Sequence, residues 1–313
     1  MAVSDARDDR LSLMSDAVVL RAPSDDDLQV ISDVIEAQDV AWWGEPDGGI
    51  DDTRDELGRV IRATGSLAAG SRVAVVDGQV VGVGLLVGHG HTTLAVDPST
   101  PCAGAVHLAL VDWLSANGGA QFDAPSQDAE RLARLASLGF VPTRSSFELE
   151  RSSDVADLAD PAWPDGVTPV TFRLGIDDEE LHSMIYSFWT DVPGHTHRPL
   201  DEWRALMLGG ASFDPELVTV VRSDGGHGPL VACALGRTFN ATMGWVSQLG
   251  VAREMRGRGL GRAVLLEACH RLARTGSVER LGLGVEAENA NALGLYRSAG
   301  MEVAREYVHC SRR

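Results

Sequence analysis

Between Gln248 and Leu265 the chain reads QLGVAREMRGRGLGRAVL, where an apolar strand-like run passes through a glycine-rich loop into a helix-like run. Residues of these types in this order make an anion site. The first amides of a helix have no partner inside it and carry the positive end of the macrodipole. Glycines let the backbone approach a diphosphate that a β-carbon would hold away. Gly257, Gly259 and Gly261 supply that close approach, and Arg253, Arg256, Arg258 and Arg262 add positive charge. A Walker loop does not fit, since no Gly-Lys-Ser/Thr follows. A dinucleotide fingerprint does not fit either, since the spacing is GxGxG and the preceding strands form a meander. An RGG-type nucleic-acid segment is disfavoured by the ordered setting and by the acidity of the chain. By itself the loop also fits a glycine-rich turn with solvated arginines.

Other chemically capable residues are less informative. The four cysteines, Cys102, Cys233, Cys269 and Cys310, show neither CxxC nor a Cys/His spacing suited to zinc, and read as small buried apolar groups. Cys310, three residues after Tyr307, has no paired base in view. His195 and His197 suit a base, a metal ligand or a solvated loop, the last being favoured, and His89 and His91 read the same way. No metal is expected.

The elements that must position the loop occur twice. In the first half, 17–22 reads as a strand, 24–36 as a helix capped by Ser24 and acidic in its first turn, and 51–62 as a second helix. Two strand runs over 71–88 flank Asp77-Gly78, a strong hairpin signal, and 91–96 adds a third strand. Helix 106–116, strand 120–124, helix 126–138 and strand 145–150 follow. The acidic stretch 152–166, with two prolines, reads as a linker. The order then repeats as strand 170–175, helices from Asp177 and over 199–207, and strands 216–222, 230–238 and 244–251. Helix 260–274, strand 281–286, helix 290–298 and strand 303–309 complete it. The β-α-α-β-β-β-α-β-α-β order, repeated at about 150 residues, is an internal duplication and not a solenoid.

Length and charge agree with that division. A chain of 313 residues exceeds the usual single domain, and no apolar run reaches the roughly 18 residues of a membrane helix. The first sixteen residues lack an apolar signal core, so a cytoplasmic location is expected. All 27 basic residues are arginine. Residues 1–150 carry 10 Arg against 24 acids, net −14, and the rest 17 against 21, net −4. A net charge of −18 disfavours nucleic acid and anionic lipid and attracts cationic amines, although it also serves solubility.

The segment Arg256-Gly257-Arg258-Gly259-Leu260-Gly261 resembles the R/Q-x-x-G-x-G/A loop of the GNAT superfamily of N-acetyltransferases. Val285, Asn289, Ala292, Leu295-Tyr296 and Gly300-Met301 are similar to that family's later V…N..A..LY…GF segment, with Met where Phe is commoner. The resemblance implies an α/β (α+β) fold of two tandem domains, each a mixed, mostly antiparallel sheet flanked by helices. It implies acetyl-CoA as co-substrate. Its pantetheine arm and thioester carbonyl would meet amides around Leu249 and Val251, where one strand splays from the next. Residues 256–262, including Leu260 and Arg262, would hold the diphosphate, Asn289 would contact the pantetheine, and Tyr296 would bring its hydroxyl near the sulfur. Family members often place a Glu near the start or middle of the splayed strand. This chain has Trp245, Ser247 and Gln248 there, so Glu286 or a water-mediated path is left as general base. The family's acceptor pocket is lined by the region holding His195 and His197.

The first half resembles a degenerate copy, since the stretch 97–106 keeps only Gly104, has no arginine and carries Pro98 and Pro101. The organisation expected is a degenerate domain over 1–151, a linker over 152–166 and an intact domain over 167–313, similar in architecture to the mycothiol synthase family. The function implied is acetyl transfer to a small, possibly cationic amine by a monomer or homodimer. A non-catalytic acyl-CoA binding or sensing module is the alternative.

Overall fold

The computed structural model describes residues 18–188, 197–209, 213–239 and 242–312. The chain forms two compact units, one ending at Ser145 and resuming at Glu306, the other spanning Ser146–Arg305. Unit 1 contains β1 (Val19–Arg21), α1 (Leu28–Trp43), α2 (Ile50–Thr64), a helical turn α3 (Leu67–Gly70), β2 (Ser71–Val76), β3 (Gln79–Gly88), β4 (His91–Val96), α4 (Ala103–Ala116), β5 (Gln121–Pro125) and α5 (Ala129–Ser137). Strand β6 (Phe140–Ser152) then carries the chain into unit 2. Unit 2 continues with β7 (Val167–Thr171), α6 (Asp178–Ser187), α7 (Leu200–Met207), β8 (Val218–Ser223), β9 (Leu230–Phe239), β10 (Met243–Val251), α8 (Leu260–Ala273), β11 (Arg280–Glu286) and α9 (Ala290–Ser298). Strand β12 (Glu302–Arg312) begins in unit 2 and ends in unit 1.

In unit 1 the strand order is β1-β2-β3-β4-β5-β12, antiparallel except for β4 with β5. In unit 2 it is β6-β11-β10-β9-β8-β7, antiparallel except for β10 with β11. Each unit is therefore completed by a strand whose sequence neighbours lie in the other. Tyr307–Ser311 pair with Pro125–Gln121, and Ser146–Ser152 pair with Glu286–Arg280. The compact units are consequently not the sequence stretches 1–151 and 167–313. Residues 146–151 and 306–313 change sides, and the stretch 152–166 packs within unit 2 through Leu158 and Trp163.

Helices cover both faces of each sheet. In unit 1, α1 and α2 pack around Ile31, Val60, Val83 and Leu85, while α4 and α5 pack around Leu110, Phe122, Leu135 and Phe140. In unit 2, α6 and α7 build on Leu181, Trp203, Val220 and Leu235, while α8 and α9 build on Val264, Leu281, Leu283 and Tyr296. Among the described residues no helix is long and apolar enough to cross a membrane.

Local chemistry sets most boundaries. Asp77 and Gly78, at φ 50° and 79°, make the tight turn between β2 and β3 that Asp-Gly favours. Helix α1 runs seven residues beyond the expected end at Glu36, to Trp43. The polar residue that interrupts its apolar pattern, Gln38, is itself buried and bonded to β4. Strand β7 lies earlier than 170–175, because Asp177 accepts from the backbone and side chain of Arg173 and turns that stretch into the entry of α6. Pro169 is tolerated in β7 because that strand is an edge.

Candidate functional site

The site is built around a parallel pair that separates. Strand β10 pairs with β11 only at Met243, Gly244 and Trp245, while its antiparallel pairing with β9 continues to Val251. The pairing with β9 shifts register between Val246 and Gln248, a bulge that bends the strand away from β11. It also keeps Val246, Leu249 and Val251 on the face packed against α8 and α9. Beyond the bulge, Ala252 N–H donates to Val231 O at 2.9 Å. By antiparallel alternation Gly250 and Gln248 likewise turn their amides to β9, and Leu249 and Val251 turn theirs into the gap. That is a row of donors on an open strand edge, at the position expected from the sequence.

The chain leaves β10 through a 3-10 turn, Arg253–Met255, and enters α8 through Gly257 and Gly259. Both glycines have left-handed backbone, φ 73° and 82°, which a side chain would strain, and nothing lies within 4 Å of where a β-carbon would sit. Gly259 is the N-cap and offers no side-chain acceptor, so no side chain caps the first amides of α8. Gly261 differs. A β-carbon there would make ordinary contacts with Leu295 Cδ2 at 3.4 Å and Val251 Cγ2 at 3.6 Å. Leu260 is buried in the core beneath the loop.

Three of the arginines donate to main-chain carbonyls. Arg256 donates from Nε to Val251 O at 3.1 Å, which ties the exposed loop to the open edge. Arg258 donates to Asp165 O at 3.2 Å, and Arg262 to Ser298 O at 3.3 Å, so both are held by the chain's own carbonyls. Sequence spacing gave no signal for those two anchors.

Asn289 caps α9, its side-chain oxygen accepting from Ala292 N–H at 3.1 Å. Tyr296 stands on the buried side of α9, 8% exposed, and burial pushes its phenol above the usual 10. A phenol shifted that way keeps its proton and suits a donor. Glu286 ends β11 at the surface opposite Ser146, and its carbonyl accepts from Asn289 N–H at 3.0 Å. Trp245 lies along β11 over Gly282, where a β-carbon would come within 2.8 Å of the indole.

An open strand edge beside a glycine-entered helix is a recurrent arrangement, and comparison with known proteins identifies the lineage. Residues 179–301 match the Acetyltransferase (GNAT) family. A mycothiol acetyltransferase of Kocuria rhizophila is 30% identical over 238 residues, covering 70% of this chain and 72% of that protein. The chain belongs to the GNAT family of acetyltransferases. A second mycothiol acetyltransferase, from Mycolicibacterium vanbaalenii, is 31% identical over 183 residues, 56% of this chain, and the match spans only 58% of that relative's length. Among solved structures, a GCN5-related N-acetyltransferase from Sphaerobacter thermophilus superimposes with a TM-score of 0.77 at 25% identity, covering 94% of this chain and 95% of that one.

Unit 1 keeps the GNAT splay and fills it. Strand β4 pairs with β5 only at His91 and Gln121. The edge groups of β4 are then taken by side chains. Gln38 donates to Leu94 O at 3.2 Å and accepts from Val96 N–H at 3.0 Å, and Arg131 donates to Leu94 O at 2.9 Å. Arg131 is fully buried, and burial pushes its guanidinium down to about 10. Asp97 Oδ1 occupies the following turn, accepting from Ser99 N–H at 2.8 Å and Ser99 Oγ at 2.7 Å. Helix α5 mirrors α9 closely, with Asp128 in place of Asn289 as cap and Leu135 where α9 has Tyr296.

The remaining sequence candidates fall elsewhere. His195 lies outside the described residues. His197 stacks 4.2 Å from Tyr186 and 5.0 Å from His182, on the α6 side of unit 2. His89 sits in the left-handed turn between β3 and β4, at φ 52°. All four cysteines are buried and free, and burial pushes Cys233 and Cys269 up to about 12, where thiolate chemistry is suppressed. Among the described residues no group of three His, Cys, Asp or Glu is arranged to hold a metal.

Proposed function

We propose that unit 2 binds acetyl-CoA as co-substrate and transfers its acetyl group to the nitrogen of a small, cationic amine. The observation that carries this reading is the open edge of β10, with Leu249 and Val251 amides turned into the splay and the bare N-terminus of α8 directly after it. Those groups fit an acyl-pantetheine diphosphate. Backbone donors would pair with the arm, and Gly257, Gly259 and Arg256 with the diphosphate. Asn289 holds the start of α9 beside them.

Acetyl-CoA supplies an activated acyl carbon and a thiol leaving group. The amine nitrogen forms a bond to that carbon as the carbon–sulfur bond breaks. Val251 N–H would stabilise the negative charge developing on the acyl oxygen, and Tyr296 would donate its phenolic proton to the departing sulfur. The proton released by the amine would leave through Glu286 or water. Alignment of the two reactants accounts for much of the rate, on the order of 7 kcal/mol, so no strong base is required. The mycothiol acetyltransferase relatives and the net charge of −18 support a small polar acceptor that is cationic before reaction. The N-terminal unit would act as a degenerate partner that binds no acyl-CoA.

Thiol release from acetyl-CoA across an amine panel tests this reading. Turnover of cationic amines above background, with KM rising with salt, is expected. Acetyl-CoA binding with no acceptor turned over would instead leave a binding module.

A further inference from the structure

We propose that Phe188 is the specificity-determining residue that restricts the transferred group to acetyl. The inference rests on the acyl-CoA reading above. Gly250 lies between Leu249 and Val251, and while their side chains turn toward α8 and α9, Gly250 turns to the opposite face. There the ring of Phe188 occupies the place that a β-carbon on Gly250 would take. The ring is therefore laid directly on the peptide whose neighbouring amides face the splay.

Phe188 is well supported for such a role. It is the first residue past α6, its amide donates to Ile185 O at 3.1 Å, and its side chain packs with Ala252 on the α6–α7 core. It is only half-buried, so the side chain is not enclosed in that core. An acyl carbonyl held by the amides of Leu249 or Val251 carries its alkyl chain beside Gly250. A methyl group ends short of the ring, whereas two further carbons meet it. Glycine is required at 250 because any side chain there would displace the ring from this position.

The test compares acetyl-, propionyl- and butyryl-CoA with the wild-type chain, Phe188→Leu and Phe188→Ala, reading both calorimetric affinity without acceptor and thiol release with it. An unfavourable added methylene is worth about tenfold or more in discrimination. The wild type should therefore prefer acetyl- to butyryl-CoA by at least about tenfold. Phe188→Ala should erase that preference in both affinity and kcat/KM, and Phe188→Leu should fall between. An unchanged acetyl-to-butyryl ratio in Phe188→Leu, with melting temperature and acetyl-CoA binding retained, overturns the proposal even if Phe188→Ala does not fold. Failure of the wild type to bind any of the three thioesters overturns the acyl-CoA reading and this proposal with it.

Discussion

Tyr296 is a neutral phenol held in an apolar setting, and two measurable consequences follow. Replacement by Phe keeps the packing against Leu293 and Met301 but removes the only proton the ring could give. We expect kcat to fall about a hundredfold in Tyr296→Phe while calorimetric affinity for acetyl-CoA changes little, since the hydroxyl matters as the thiolate develops. The pH profile gives the sign independently. Burial raises the folded phenol above the usual 10, so the donor stays protonated through neutral pH and is lost as pH rises beyond that value. An alkaline limb above about pH 10, present in the wild type and absent from Tyr296→Phe, is expected. The same shift makes the fold less stable in that alkaline range, since the unfolded phenol ionises first. A wild-type rate in the variant would show that water protonates the sulfur.

At the scale of elements, the entry of α8 separates two uses of glycine. Gly259 is required by its backbone, φ 82°, and Gly259→Ala should cost about 1 kcal/mol in stability and weaken acetyl-CoA binding together. Gly261 has room for a methyl group, so Gly261→Ala should melt like the wild type and lose only close approach to the ligand. Equal effects of the two changes on melting would reject this division. The start of α6 depends on an ion network. Asp177, 3% exposed, accepts from Arg173 and, at 3.1 Å, from Arg222, which together hold its carboxyl below the usual range. Its contribution is present above the unfolded carboxylate value and is lost as pH falls from there through the lower folded value. Asp177→Asn should destabilise unit 2 at neutral pH and flatten the acid side of its stability profile, read by thermal melts from pH 7 to pH 3.

For the whole molecule, the two splays predict one ligand per chain. In unit 2 the β10 edge is open, while in unit 1 Gln38 and Arg131 satisfy the corresponding edge of β4 and Asp97 accepts from Ser99 in the turn that follows. Calorimetric titration should count one acetyl-CoA, and two equivalent sites would refute the reading of unit 1 as degenerate. The strand exchange has its own consequence. Removing residues 306–313 takes away the strand that pairs with β5 and leaves unit 2 with all of its own residues, the start of β12 included. Hydrogen exchange should rise first in β5 and α5, whereas β9 and β10 should keep their protection. Uniform loss across both units would contradict this assignment of the last strand.

What the sequence determined by itself was whatever adjacent residues decide. Asp77-Gly78 makes its turn, Asn289 and Asp128 cap helices of equal length, and the glycines around Arg258 give the left-handed entry to α8. The doubled order of elements and the glycine-entered start of α8 were therefore legible. Tertiary structure alone decided which strands pair across more than about 120 residues, since alternation along a strand marks its faces but not its partner. It placed 306–312 beside β5, opened β10 from β11, and set Phe188 on Gly250. Gln38 and Arg131 show the same limit. No local pattern singles them out, and only the backbone of a distant strand gives a buried amide and a buried guanidinium their partners.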